Sequence, residues 1–175
     1  ASRVNQRFFV LENHLPEIPP SIDRLRSLKS PYISIGWGGS LGHMADLLAL
    51  MPTLREILIR YPKIRLHIMG NESIPSLLGI PSDRIVFTRW GGMDDYFRFW
   101  EPVHIGIAPL LNTGYNNSRR DIKAVEMSSR SALPLLGNAP PYHNFLSETD
   151  ISPFESFDDL KAILQDYIEN PESIE

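Results

Sequence analysis

The chain contains no cysteine. That absence excludes disulfides, thiolate metal sites and thiol nucleophiles, and it fits a reducing, cytoplasmic setting. Long apolar runs are missing too. Nothing approaches the roughly 18 consecutive apolar residues that a membrane span needs, so no transmembrane segment is expected. Peripheral contact with a membrane would have to come through another domain. No secretory signal pattern is visible. Positive charge is not in excess: the net charge is −4 over 175 residues, which excludes general charge-driven binding of nucleic acid. Any anion held here is held locally. No internal repeat is found. What remains is ordinary for a globular protein, with 42% hydrophobic and 22% charged residues. The length suits one domain that buries roughly 70% of its unfolded surface.

Several catalytic signatures are also absent. There is no G-x-S-x-G elbow, no phosphate-binding Walker loop and no H-E-x-x-H. His14, His43, His67, His104 and His143 are scattered, without helical ligand spacing, so no metal site is expected. His67 and His104 fall inside apolar runs and read as core or sheet-end residues. Asp94–Asp95 and Asp158–Asp159 are adjacent pairs that suit helix starts. Asn116-Asn117-Ser118 matches a glycosylation sequon but carries no weight without a secretory signal.

The pattern along the chain alternates short apolar strands with helices. Strands are expected at 7–12, 32–36, 63–70, 84–88, 104–110 and in "ALPLLG". Residues 13–31 hold four of the 15 prolines and read as a linker or wrapping loop. Residues 44–60 place Leu47, Leu50, Leu54 and Ile57 or Leu58 at helical spacing, with Pro52 predicting a kink or a break. Short helices are expected before Gly79, between Asp94 and Pro102, and at about 118–130. A final amphipathic helix carries Phe157, Leu160, Ile163 or Leu164, and Tyr167 on one face. This alternation predicts an α/β fold: a Rossmann-like, doubly wound parallel sheet in three α/β/α layers, as a single domain. In such folds ligands bind beyond the carboxyl ends of the strands. That rule selects the loops Gly36–Gly42, Thr88–Gly92 and Leu110–Ser118.

Each loop carries candidate residues. "NNSRRDIKAVE" (116–126) would place Arg119, Lys123 and Glu126 on one stripe of a helix. Two cations near a helix start oppose the macrodipole unless a bound anion accounts for them. A solvated face with Lys123 paired to Glu126 is the alternative. "GWGGS" (36–40) follows the first sheet strand. Its glycines allow close backbone approach to a phosphate or sugar, or simply form a tight turn. It is not a dinucleotide fingerprint, because Leu41 stands at the third glycine position and Glu56 falls in mid-helix. After the third strand, Trp90 could stack on a base and Arg89 could meet a phosphate or a ring; a loop anchor is the other reading of Trp90.

The order "ISIGWGGSLGHMADL", "IRLHIMG", "RIVFTRWGGMDDYFRFWEPVHIGIAPL" and "NNSRRDIKAVEMSSRSALPLLGNAPPY" resembles the C-terminal, donor-binding domain of group-1 glycosyltransferases, retaining enzymes of the GT-B fold. Their helix motif E-A-M-A-x-G-x-P-V-V is similar to "VEMSSRSALPLL", with Glu126 at the glutamate and Pro134 at the proline. "VLENHLP" (10–16) resembles the segment that leads in from the acceptor domain. The resemblance implies residues 1–30 as a lead-in from a missing N-terminal acceptor domain and 31–175 as a nucleotide-sugar-binding domain. It implies that Glu126 holds ribose hydroxyls, while the helix start and its loop hold sugar and diphosphate. Asn117, Ser118, Arg119 and Lys123 would then serve the diphosphate, with Gly38, Gly39 and Ser40 at the first turn and Arg89 and Trp90 near the base. The nucleoside-diphosphate sugar is a substrate, and neither metal nor cofactor is implied. Four positions depart from the family: Ser118 stands where an earlier glutamate is usual, Trp37 and Leu41 where the first turn usually carries cations, and Ser131 where the motif has glycine. "NNSRRDIKAVE" is similar to divergent N-x-S-K-x-x-x-K-x-x-E loops, so Arg119 and Lys123 would supply that charge. Two other function classes remain at this point: an NAD-type oxidoreductase domain, and a degenerate transferase domain used for protein interaction.

Overall fold

The computed structural model describes residues 14–27, 29 and 32–174. The strand expected at 7–12 and most of the lead-in segment "VLENHLP" lie outside the described residues. Five strands form one parallel sheet: β1 (Ser34–Gly38), β2 (Arg65–Gly70), β3 (Ile85–Arg89), β4 (Ile105–Ala108) and β5 (Leu133–Leu136), in the order β3-β2-β1-β4-β5. The helices are α1 (Ile22–Ser27), α2 (Met44–Arg60), α3 (Ile74–Leu78), α4 (Met93–Trp100), α5 (Ile122–Ser128), α6 (His143–Ser147) and α7 (Phe157–Glu169). α2, α3 and α7 share one apolar cluster with the sheet. α4 and α5 share the other, joined by Tyr142 and Phe145 at the α6 end. Helices thus cover both faces, which is the expected doubly wound α/β/α sandwich. Among the described residues no helix is long and apolar enough to cross a membrane.

α2 forms because its apolar residues recur every three or four positions. Leu47, Leu50, Leu54 and Ile57 are all fully buried, each contributing roughly 1.5–3 kcal/mol relative to exposure. Pro52 neither breaks the helix nor divides it. The proline and Leu48, the residue whose carbonyl it leaves unbonded, both lie on the exposed face, where water replaces the missing donor. α7 carries the predicted face, with Leu160 and Leu164 buried and Phe157, Ile163 and Tyr167 packed beside them. Its N-cap is Ser156, whose Oγ accepts from the Asp159 N–H at 3.1 Å.

Residues 14–27 and 29 pack against the α4–α5 face, as a wrapping loop would. They include α1, bury Leu25 and pair Glu17 with the buried Arg130.

The glycines of "GWGGS" divide between two tasks. Gly36 and Gly38 lie inside β1, so the turn begins only at Gly39. Gly36 pairs in register with Gly106 on β4, and together they form a flat floor beneath Trp100. A Cβ on Gly36 would stand 2.9 Å from the indole, and one on Gly106 3.0 Å from it. Packing, rather than turning, demands those two glycines.

α5 is shorter than the expected helix over 118–130. Residues Asn116–Ser118 form a separate 3-10 turn, and Arg119 is extended at φ −81°, ψ −175°. At its other end Ser131 adopts φ +57°. Its N–H bonds the Ser128 carbonyl at 2.9 Å, and the Ala132 N–H bonds that of Met127 at 3.1 Å. These are the two bonds of a Schellman closure, which favours glycine at this position. Ser131 therefore carries backbone strain at the position where the resemblance implied glycine. Ser131→Gly is expected to raise stability by about 1 kcal/mol, read as a higher urea midpoint with unchanged m value. A lower midpoint would refute this account of the strain.

Candidate functional site

The strand order reverses between β1 and β4, whose following segments turn to opposite faces of the sheet. That switch point opens a crevice beyond the strand ends. One wall is the loop Gly39–Gly42 with the 3-10 turn Leu41–His43. The other is the long loop from Pro109 into α5.

A buried carboxylate ties the two walls together. Asp46, in the first turn of α2, is 2% exposed. Its Oδ2 lies 2.9 Å from His43 Nδ1. Its Oδ1 accepts from the Leu111 N–H at 2.9 Å and from Asn116 Nδ2 at 2.8 Å. Asn116 Nδ2 also donates to the Leu111 carbonyl at 2.9 Å. A carboxylate only accepts, so the proton of this contact sits on His43 Nδ1. Burial, followed by the nearness of Lys123, lowers the His43 pKa despite its bond to Asp46. His43 is therefore the neutral imidazole at pH 7, held in one tautomer.

Two cations converge beside this clasp. Lys123 Nζ donates to the Gly38 carbonyl at 2.9 Å and lies 6.0 Å from the Trp37 ring centre. The residue keeps some exposed surface, but its ammonium is enclosed. That burial, with the repulsion of Arg119, lowers its pKa to about 8. Arg119 stacks 4.5 Å over the Tyr115 ring and bonds its hydroxyl. Both side chains crowd Gly42: a Cβ there would meet Tyr115 Oη at 3.0 Å and Arg119 Nη2 at 3.3 Å. Arg119 Nε is buried and has no hydrogen-bond partner among the described residues, and neither has Asn116 Oδ1.

One turn beyond Lys123, the half-buried Glu126 lies near the Tyr96 hydroxyl. Burial raises its pKa, while Tyr96 and Lys123 pull it back. Tyr96 in turn packs against Trp90, with ring centres 5.9 Å apart. Trp90 is 52% exposed, so half of its surface remains open to solvent. It lines a cleft of about 480 Å³ that runs past the ends of β1, β2 and β3. Gly39–Gly42, Gly70 and Asn71 supply its backbone walls, and Glu72 and Arg89 face each other at 3.0 Å.

Arg119, Lys123 and Glu126 lie at the switch point, but not as the predicted helical stripe. Arg119 stands ahead of α5 rather than on it. The loop is pinned to Asp46, and its 3-10 turn ends in an extended residue before the helix starts. Arg119 still stands close enough to Lys123 to repel it, placed by the loop instead of the helix face. The solvated Lys123–Glu126 face is overturned by the enclosed ammonium. Gly39 and Ser40 line the cleft with Arg89 and Trp90. Gly38 is a strand residue whose carbonyl receives Lys123. Ser118 and Asn117 are exposed and turn back on their own loop: Ser118 Oγ donates to the Gly114 carbonyl at 2.8 Å and Asn117 Nδ2 to Asn112 Oδ1 at 2.8 Å. Glu56 sits in the body of α2, paired with Lys161 at 3.2 Å, which gives no ribose acid for a dinucleotide. Burial lowers the His67 and His104 pKa values to about 4 each. His67 is buried in β2, whereas the half-buried His104 stands at the sheet end just before β4, where its Nδ1 accepts the Ser34 N–H at 3.2 Å.

Sequence reasoning missed Asp46, His43, Asn116, Tyr96 and Glu72. The available signal was "HMAD": an acid in the first turn after a glycine loop, with a histidine three residues before it.

No family model matches the sequence, and no curated protein matches it. Solved structures do match. The C-terminal domain of the glycosyl transferase group 1 family protein LpcC from Francisella tularensis superposes with TM-score 0.58 at 13% identity, covering 90% of this chain and 88% of that one. UDP-N-acetylglucosamine 2-epimerase from Listeria monocytogenes matches with TM-score 0.58 at 12% identity, over 90% of this chain and 42% of that one. Trehalose-6-phosphate from E. coli bound with UDP-2-fluoro glucose matches with TM-score 0.55 at 15% identity, over 86% of this chain and 39% of that one. The chain therefore has the Rossmann-like fold of GT-B C-terminal domains, and it spans less than half the length of the last two proteins.

Proposed function

We propose that this chain is the donor half of a metal-independent, retaining glycosyltransferase. It would bind a nucleoside-diphosphate sugar and transfer the sugar to an acceptor held by a further, N-terminal domain. One observation carries this reading. Arg119 and Lys123 are two repelling, partly desolvated cations at the switch point, and the buried Nε of Arg119 lacks an acceptor among the described residues. A diphosphate supplies the missing negative charge and the missing acceptor together.

The roles then follow from position. Arg119 and Lys123 hold the diphosphate, Glu126 accepts from the ribose hydroxyls, and the cleft beside Trp90 takes the base. In the reaction the bond between the anomeric carbon and the phosphate oxygen breaks, and its electron pair goes to the diphosphate. The two fixed cations stabilise that growing charge without reorganising, so no metal ion is required for it. The sugar carbon becomes oxocarbenium-like. The acceptor hydroxyl attacks it from the face the diphosphate is leaving, and its proton passes to the departing phosphate oxygen.

Calorimetric titration of the chain with UDP, GDP and their sugars tests this reading. At least one is expected to bind, and Glu126→Ala is expected to weaken it roughly 10- to 100-fold, the value of hydrogen bonds to a charged acceptor. Equal binding by both proteins would remove Glu126 from the site. Binding by neither would leave a transferase fold used for another purpose.

A further inference from the structure

The cleft beyond β2 and β3 contains a charged pair that the proposed chemistry does not use. Glu72 follows the end of β2, and Arg89 is the last residue of β3. Their side chains meet at 3.0 Å, with Arg89 80% and Glu72 66% exposed. Both line the cleft, as does Trp90. An ion pair this exposed holds little energy, so an incoming ligand can take over either partner cheaply.

The two groups impose an order on any planar ligand that lies against Trp90. Arginine offers only donors, and a carboxylate offers only acceptors. A matching edge must therefore present an acceptor beside donors. Guanine does so, with O6 next to N1–H and the N2 amino group, and its two adjacent N–H groups can engage one carboxylate at both oxygens. Uracil presents oxygen, N–H, oxygen, which sets a carbonyl against Glu72. Adenine and cytosine have a single amino group to offer the carboxylate.

We propose that the base of the donor is guanine, selected by Glu72 and Arg89 and stacked on Trp90. This rests on the nucleoside-diphosphate-sugar reading above. Glu72 accepts from N1–H and N2–H, and Arg89 donates to O6. The wall of the cleft at Gly39–Gly42 is also the loop that Arg119 and Tyr115 touch. The loop Gly39–Gly42 therefore borders both the base cleft and Arg119, which is the path a single nucleotide would follow.

Titration of the chain with GDP, IDP, ADP and UDP is the test, because IDP differs from GDP only in lacking the N2 amino group. GDP is expected to bind tightest, roughly 10- to 100-fold above UDP, with IDP between them. Glu72→Gln is expected to remove most of the gap between GDP and IDP and leave the thermal midpoint unchanged, since Glu72 is a surface residue. Tighter or equal binding of UDP would overturn the guanine assignment and leave the donor site standing. A GDP preference that survives Glu72→Gln would overturn the role of Glu72. Failure of every nucleotide to bind would overturn the donor reading and this inference with it.

Discussion

Lys123→Met is expected to weaken donor binding about 100-fold, the usual loss when one partner of a buried charge contact is truncated. The same change is expected to leave the unliganded protein at least as stable as before. The two effects differ in sign because Lys123 is held against its preference. Burial and Arg119 lower its pKa to about 8, while an unfolded chain keeps that proton to about 10.4. The folded state therefore binds the proton less tightly. The charged ammonium destabilises the fold below pH 8, and that penalty fades as pH rises from 8 towards 10.4. A bound diphosphate favours the charged form and raises the pKa. Donor affinity should then be full at pH 7 and fall by about tenfold per pH unit above 8 until the bound pKa is reached. Lys123→Met should abolish that pH dependence. Titrations at pH 7 and pH 9 on both proteins check it, and a wild-type affinity that is flat across this range would sink the role given to Lys123. A residue that costs stability and serves binding is common at functional sites.

Asp46→Ala is expected to be the most destabilising single change at the site, by about 3 kcal/mol. The carboxylate serves three donors: His43 Nδ1, the Leu111 N–H and Asn116 Nδ2. Truncation leaves the donors without their acceptor in a buried place, and the cost is the desolvation of each. For a domain of this size the thermal midpoint should fall by about 10 °C. Asp46→Asn keeps the volume but turns an amide donor towards one of those donors, so it should recover only part of the loss. Donor affinity should fall in both variants, because the loop that presents Arg119 is no longer tied to α2. Urea denaturation supplies the measurement. A loss below about 1 kcal/mol would mean that water replaces Asp46 and that the loop is held by other means.

The sheet was legible because its strands are short apolar runs separated by amphipathic helices, and period alone distinguishes the two. The place of the candidate site was legible for the same reason, since strand order and glycine loops mark the carboxyl edge. The clasp was not. Asp46 and Asn116 lie 70 positions apart in sequence, and no local pattern links a helix-start acid to a distant loop. Helical spacing puts Arg119, Lys123 and Glu126 on one stripe, but that spacing holds only from Ile122 onward. Arg119 reaches the site because tertiary hydrogen bonds bend the loop, overriding the local periodicity. Pro52 misled in the opposite direction. A proline in mid-helix costs most where its orphaned carbonyl is buried, and here that carbonyl belongs to the exposed face. Ser131 was visible as a departure from the glycine of the motif, but only its positive φ reveals that the backbone requirement persisted after the glycine was lost.

The central claim is that the two cations at the switch point exist to hold a diphosphate. A crystal structure of the chain soaked with GDP and with UDP tests it most directly. The account predicts a diphosphate between Arg119 and Lys123, with an oxygen within about 3 Å of Arg119 Nε and the ribose hydroxyls on Glu126. A nucleotide bound elsewhere, or one whose phosphates avoid both cations, would contradict it.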